Sequence, residues 1–218
     1  MAQVFHRSTN TLSRFSITGG LIVAALLAYA AYVIDRSPYV THEQHAVDQP
    51  VPFSHKHHTA GLGIDCRYCH TTVETSAYAG MPATETCMTC HSQIWRESPT
   101  LEPVRASYSR NVSIQWNRVY DLPNYVYFDH SIHVNKGVGC SSCHGRVDQM
   151  PLTYKANSLQ MSWCLDCHRE PEKQMRSKSD IFNMAWTPGA NQAEDGHKRA
   201  EEYHINHAIM LNCSTCHR

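Results

Sequence analysis

The segment Phe128-Asp-His130-Ser-Ile-His133-Val-Asn-Lys-Gly-Val-Gly-Cys140-Ser-Ser-Cys143-His144 holds two histidines three residues apart, followed by Cys-x-x-Cys-His. Its second half recurs at Cys66–Cys69–His70, Cys87–Cys90–His91, Cys164–Cys167–His168 and Cys213–Cys216–His217, which uses all ten cysteines. Chance would supply about 0.03 such motifs at this composition. Cysteines at i and i+3 with a histidine at i+4 lie on one side of a single helical turn. That arrangement suits covalent attachment of haem c. The two thiols form thioethers with the vinyl groups, and the imidazole reaches the iron from the proximal side. The reading is five covalently attached haem c groups, with His70, His91, His144, His168 and His217 as proximal ligands.

Zinc is the main competing chemistry. The spacings Cys66–Cys69 to Cys87–Cys90 and Cys143 to Cys164 both fall in the zinc-ribbon range. Zinc does not require a histidine directly after every second cysteine, and a fifth pair would have no partner. A disulfide framework fails for a similar reason, because Cys-x-x-Cys is a redox or ligand spacing rather than a structural staple.

The first half of the opening segment also recurs. Phe53-Ser-His55-Lys-His57-His58 precedes Cys66, and His204-Ile-Asn-His207 precedes Cys213. Residues three apart on a helix diverge by about 60°, so two such imidazoles can serve two different irons. His55, His58, His130, His133, His204 and His207 are therefore the distal candidates, six for five irons. His57 competes with His58 by position. His42, His45 and His197 read as surface histidines. Met81-Pro82 and Met150-Pro151 recur between the motifs of the first two units, so Met81 and Met150 are weaker distal candidates. The chain reads as dihaem modules at 53–91 and 128–168 and a one-haem module at 204–218 that is cut short at Arg218. The last motif must then draw its distal ligand from upstream.

One attachment motif per 44 residues or so leaves too little chain for a separate globular fold around each cofactor. The expected fold is a multihaem cytochrome c: few short helices and long ordered loops packed round five haems, plus one N-terminal transmembrane helix. Val112-Ser-Ile114-Gln-Trp116 alternates as a short strand would, and Arg169 to Tyr203 reads as polar surface loop. Lys plus Arg and Asp plus Glu balance at 19 each, which gives no basic bias towards nucleic acid.

Residues 15–34 (FSITGGLIVAALLAYAAYVI) contain no charge and are long enough to cross a bilayer. His6, Arg7 and Arg14 precede them, so residues 1–14 are expected in the cytoplasm and residues 53–218 outside, on the periplasmic face of a bacterial inner membrane. Ala28-Tyr29-Ala30 resembles a signal-peptide cleavage site, but the apolar run exceeds a usual signal core and Met1 is retained. An uncleaved anchor is the better reading. Gly20, Ala24 and Ala28 form a small-residue stripe suited to packing on partner helices. Residues 35–52, with Pro38, Pro50 and Pro52, read as a linker.

Phe-x-His-x-x-His ahead of an attachment motif resembles the class III, c7/c3-type, multihaem cytochromes. The resemblance implies that the first histidine ligates the following haem and the second a neighbouring one. It would pair His55 with His70, His58 with His91, His130 with His144, His133 with His168, and His204 or His207 with His217. The anchor, the five motifs and the stretch Trp116 to His133 are further similar to the pentahaem subunits of alternative complex III. That likeness implies an electron-transfer relay, not itself catalytic, within a membrane quinol:acceptor oxidoreductase. Iron–sulfur and integral-membrane subunits would be its partners, and a monohaem cytochrome, an oxidase or another periplasmic acceptor would take its electrons. The alternatives are a stand-alone membrane-anchored multihaem quinol dehydrogenase and a tethered shuttle. A pentahaem reductase is disfavoured, since Cys-x-x-Cys-Lys does not occur.

Overall fold

The computed structural model describes residues 4–217; Met1 and Arg218, which bound the expected cytoplasmic tail and the truncated last module, lie outside them. The chain divides into two compact units, Met1–His42 and Glu43–Arg218. The first holds α1 (Ser8–Asp35) and a single turn, α2 (Pro38–Thr41). Every residue of α1 from Ser8 to Asp35 is exposed, and it is the one helix among the described residues long and apolar enough to cross a membrane. It begins ahead of the predicted residue 15 because Ser8 to Arg14 continue the same helix on its polar side. At 1.5 Å per residue its 28 residues span about 42 Å, more than the ~30 Å hydrocarbon core.

The second unit contains α3 (Cys66–Cys69), α4 (Thr84–His91), α5 (Glu102–Arg110), α6 (His130–Asn135), α7 (Cys140–His144), α8 (Met161–Arg169), α9 (Gln192–Glu202), α10 (His207–Met210) and α11 (Cys213–Cys216). A single π-helical turn, Lys56–Gly61, precedes α3. All five attachment motifs thus lie on or at the end of short helices. No β-strand forms among the described residues; backbone pairing is limited to isolated bridges such as Val126 with His217.

Three expectations change. Residues 112–116 form no strand, because no partner segment runs beside them; Ile114 and Trp116 instead pack on Val51, Leu101 and Val104. Residues 43–52 belong to the compact unit rather than to a free linker: Gln44 N donates to Lys155 O at 2.7 Å, Gln49 exchanges two hydrogen bonds with Asn117, and Val51 is buried. The segment 169–203 is more than surface loop. It carries α9 and buries Met175, Arg176, Ile181 and Met184. Gly196 makes this possible, since a Cβ there would clash with the Glu172 carbonyl oxygen. Without that Cβ, α9 lies against Pro171–Lys173.

Candidate haem sites

The repeat read in the sequence is also a repeat in space. Phe53 stacks on His58 (centroids 4.4 Å apart, planes at 23°) and meets His55 edge-on at 4.9 Å. Phe128 stacks on His133 at 4.5 Å and 24° and meets His130 edge-on at 4.8 Å. One phenyl ring therefore sets the planes of both histidines that follow it. Sequence reasoning noted the phenylalanine but not this role.

Each histidine so placed faces a histidine of an attachment motif. Ring centroids are 6.4 Å apart for His55 and His70, 6.2 Å for His58 and His91, 6.4 Å for His130 and His144, and 6.2 Å for His133 and His168. With metal–imidazole bonds of about 2.0–2.1 Å and a nitrogen roughly 1.1–1.2 Å from its ring centre, two imidazoles on opposite sides of one metal have centroids about 6.3 Å apart. The four pairs match that spacing, so the residues fit an iron held between two imidazoles.

Hydrogen bonding selects the same atoms. His70 Nδ1 donates to Gly80 O (2.7 Å), His91 Nδ1 to Ile94 O (3.0 Å), His168 Nδ1 to Met210 O (2.9 Å) and His217 Nδ1 to Tyr125 O (3.1 Å). On the distal side His58 donates to Ser54 O, His130 to Ala77 O and His133 to Asp129 O, at 2.7–2.8 Å. His55 Nδ1 lies 2.9 Å from Thr153 Oγ1. A carbonyl partner forces the Nδ1–H tautomer and leaves the Nε2 lone pair for a metal. Gly80 can present its carbonyl to His70 because it adopts φ +83°, where a Cβ would meet Thr72 Oγ1 at 2.8 Å. Burial, then the neighbouring His70 and His58, lowers the pKa of His55 to about 4. Burial, then His130, His70 and His55, does the same for His144. Both rings stay neutral, and so able to ligate, well into the acid range.

The other candidates sit elsewhere. His57 stacks on Trp95 at 5.6 Å and 23°, which leaves His58 as the ring opposite His91. Met150 is buried and Met81 is exposed. His42, His45 and His197 are exposed, as expected. Neither His204 nor His207 forms a ring pair of this kind with His217 among the described residues; both are exposed, and His207 Nε2 lies 3.3 Å from Glu172 Oε1.

Comparison with known proteins finds similarity to multihaem cytochromes. Residues 132–218 match the family described as cytochrome c3, and residues 32–113 the class III cytochrome C family. The fold class is that of a multihaem cytochrome c, and each matched stretch is similar to class III families. This cytochrome is also 32% identical over 126 residues to the menaquinone reductase, multiheme cytochrome c subunit, of Nitratidesulfovibrio vulgaris (strain Hildenborough), covering 57% of the present chain. The match spans 56% of that relative's length, little more than half.

The ring planes of the cytochrome make a spectroscopic prediction. Two pairs are near parallel, at 13° and 16°, and two are crossed, at 65° and 40°. The angle between two imidazole planes sets how strongly they split the iron d orbitals. The oxidised holoprotein should therefore show two groups of low-spin electron paramagnetic resonance signals, one strongly rhombic and one more axial with a larger maximum g. A single uniform type would rule out this pairing.

Contacts between modules fix which motifs are neighbours. His55 and His58 share one helical turn, so the first and second sites adjoin, and His130 and His133 join the third and fourth likewise. The Cys66 and Cys140 side chains lie close together, which places the first motif against the third. His130 reaches Ala77 O, and Lys56 N donates to Met150 O at the same junction. Met210 O holds His168, and Cys213 follows three residues later, so the fifth motif adjoins the fourth. Tyr127 N donates to Cys216 O and pins the fifth motif to the segment before α6.

Proposed function

We propose that this chain is the electron-transfer subunit of a membrane complex that exchanges electrons with the quinone pool, as in alternative complex III. Five covalently attached haem c groups would carry the electrons by cycling between ferric and ferrous iron. The observation that carries the reading is the set of four opposed imidazole pairs. At each, the chain supplies a ligand from both sides and leaves no open position for a substrate. His217 supplies the fifth proximal ligand. His204 or His207, on the segment just before it, is the ligand we assign to the distal side.

The neighbour contacts support an order of attachment sites 2–1–3–4–5, which is not the order of the sequence. The second and fifth sites are then the two ends of the path. The helix Ser8–Asp35 would tether the chain to the inner membrane with its N-terminus in the cytoplasm, and Gly20, Ala24 and Ala28 would face helices of integral-membrane partners. An iron–sulfur subunit would feed one end, and a monohaem cytochrome or an oxidase would drain the other.

A second reading follows from the name of the relative, a menaquinone reductase subunit. The same path would then run towards quinone from a periplasmic donor. Purification in mild detergent tests both readings. The chain should co-migrate with further membrane and iron–sulfur subunits, and a menaquinol analogue should reduce its haems. Migration as a lone chain would sink both. Co-migration with haems that only a soluble donor reduces would favour the second.

A further inference from the structure

Arg176 is one of the two largest side chains buried to below 2% exposure. It lies on the third attachment motif: Nη2 donates to Ser141 Oγ at 3.1 Å and to Ser142 Oγ at 2.9 Å, the two residues between Cys140 and Cys143. Nη1 donates to the carbonyls of Asn183 (3.2 Å) and Asp180 (3.4 Å), and the guanidinium stacks 4.1 Å from the Trp186 ring. Gly139 makes the room, since a Cβ there would clash with the guanidinium.

All these partners are neutral, and Nε has none. Among the described residues no carboxylate pairs with Arg176 within 4 Å; the Asp180 carboxylate, engaged by Ser177 and Asn183, acts on it only at longer range. Burial pulls the Arg176 pKa down from its ordinary value, yet an arginine keeps its proton at any physiological pH. An unpaired buried charge is costly, so a purely structural brace would be better served by a neutral side chain. Once Cys140 and Cys143 are thioethers they carry no charge, and the cation then acts on the cofactor beside it. Reduction of a haem iron removes one positive charge, so a nearby cation in a low-dielectric setting favours the ferrous form.

We propose that Arg176 is a positioning charge that raises the reduction potential of the haem attached at Cys140 and Cys143. The inference rests on the haem reading of that motif, not on the quinone partner or on the order of the sites. It places an electrostatic well in the middle of the path.

The test is a redox titration of the full haem-loaded chain in detergent, followed optically and by electron paramagnetic resonance. Arg176→Met should lower one midpoint so that its reduced-to-oxidised ratio falls about tenfold, about 59 mV for a one-electron couple, with the others unmoved. Arg176→Lys, which keeps the charge, should retain most of that potential. Ser142→Asp, which puts a carboxylate beside Nη2, should lower the same midpoint. Unchanged midpoints in Arg176→Met overturn the proposal. Equal falls in Arg176→Met and Arg176→Lys also overturn it, since they mark a structural role. If Arg176→Met does not accumulate with five haems, an unchanged titration in Ser142→Asp overturns it. Mass spectrometry showing Cys140 and Cys143 free in the wild-type chain would instead remove the haem reading beneath it.

Discussion

A chain made without haem attachment should leave residues 43–217 unfolded, not merely weakened. Only ten apolar residues are buried among the described ones. They fall into clusters as small as Val51, Leu101 and Val104, or Val73, Val134 and Ile181. Two such knots cannot offset the conformational entropy of ordering so long a segment. The attachment helices are too short to form alone: α3 and α11 have four residues each and α7 has five, against the dozen or more an isolated helix needs. The cofactors must therefore supply most of the core. Circular dichroism of haem-free chain should show the helical signal of α1 and little else, with no cooperative thermal transition. Protease should cut throughout residues 43–217. A cooperative transition in haem-free material would show that the polypeptide has a core of its own.

The same scarcity of protein core explains what could be read from the sequence. The spacing of Cys66, Cys69 and His70 and its four repeats is local chemistry, visible without a fold. His55, His58, His130 and His133 could be picked out as distal candidates too, because each pair lies shortly before a motif and behind a phenylalanine; which motif each faces came only from the family resemblance. The expectations that changed all concern chain between motifs. Arg169 to Tyr203 looks polar because its buried apolar residues, Met175, Ile181 and Met184, are scattered among polar ones. Its helix packs through two small residues, Gly196 and Ala200, on an otherwise charged surface. Arg176 reads as a surface charge until Gly139 is seen to lie beneath it. Val112 to Trp116 has the alternation of a strand, but alternation alone cannot show whether a partner segment exists. Gln44 and Gln49 are tied down by Lys155 and Asn117, contacts too distant in sequence to leave a local signal.

Removing one attachment site should divide the path in a way that reveals its order. Along 2–1–3–4–5, the second site is an end and the first lies between it and the rest. Cys87→Ser with Cys90→Ser should leave four haems that still share an injected electron as fast as in the parent. Cys66→Ser with Cys69→Ser should strand the second site, so that an electron placed there no longer reaches the other three. An order that followed the sequence predicts the reverse, because loss of the second site would then isolate the first. Flash photoreduction with less than one electron per chain distinguishes the two, provided haem content confirms four attached groups per variant. The argument turns on the junction between modules. His55 bonds Thr153, His130 bonds Ala77, and Cys66 meets Cys140. His55 and His70, the ring pair of the first motif, lie near enough to His144 to lower its pKa. On the proposed order the first site is the one in the leading module that faces the next, and an electron leaving the second would pass through it.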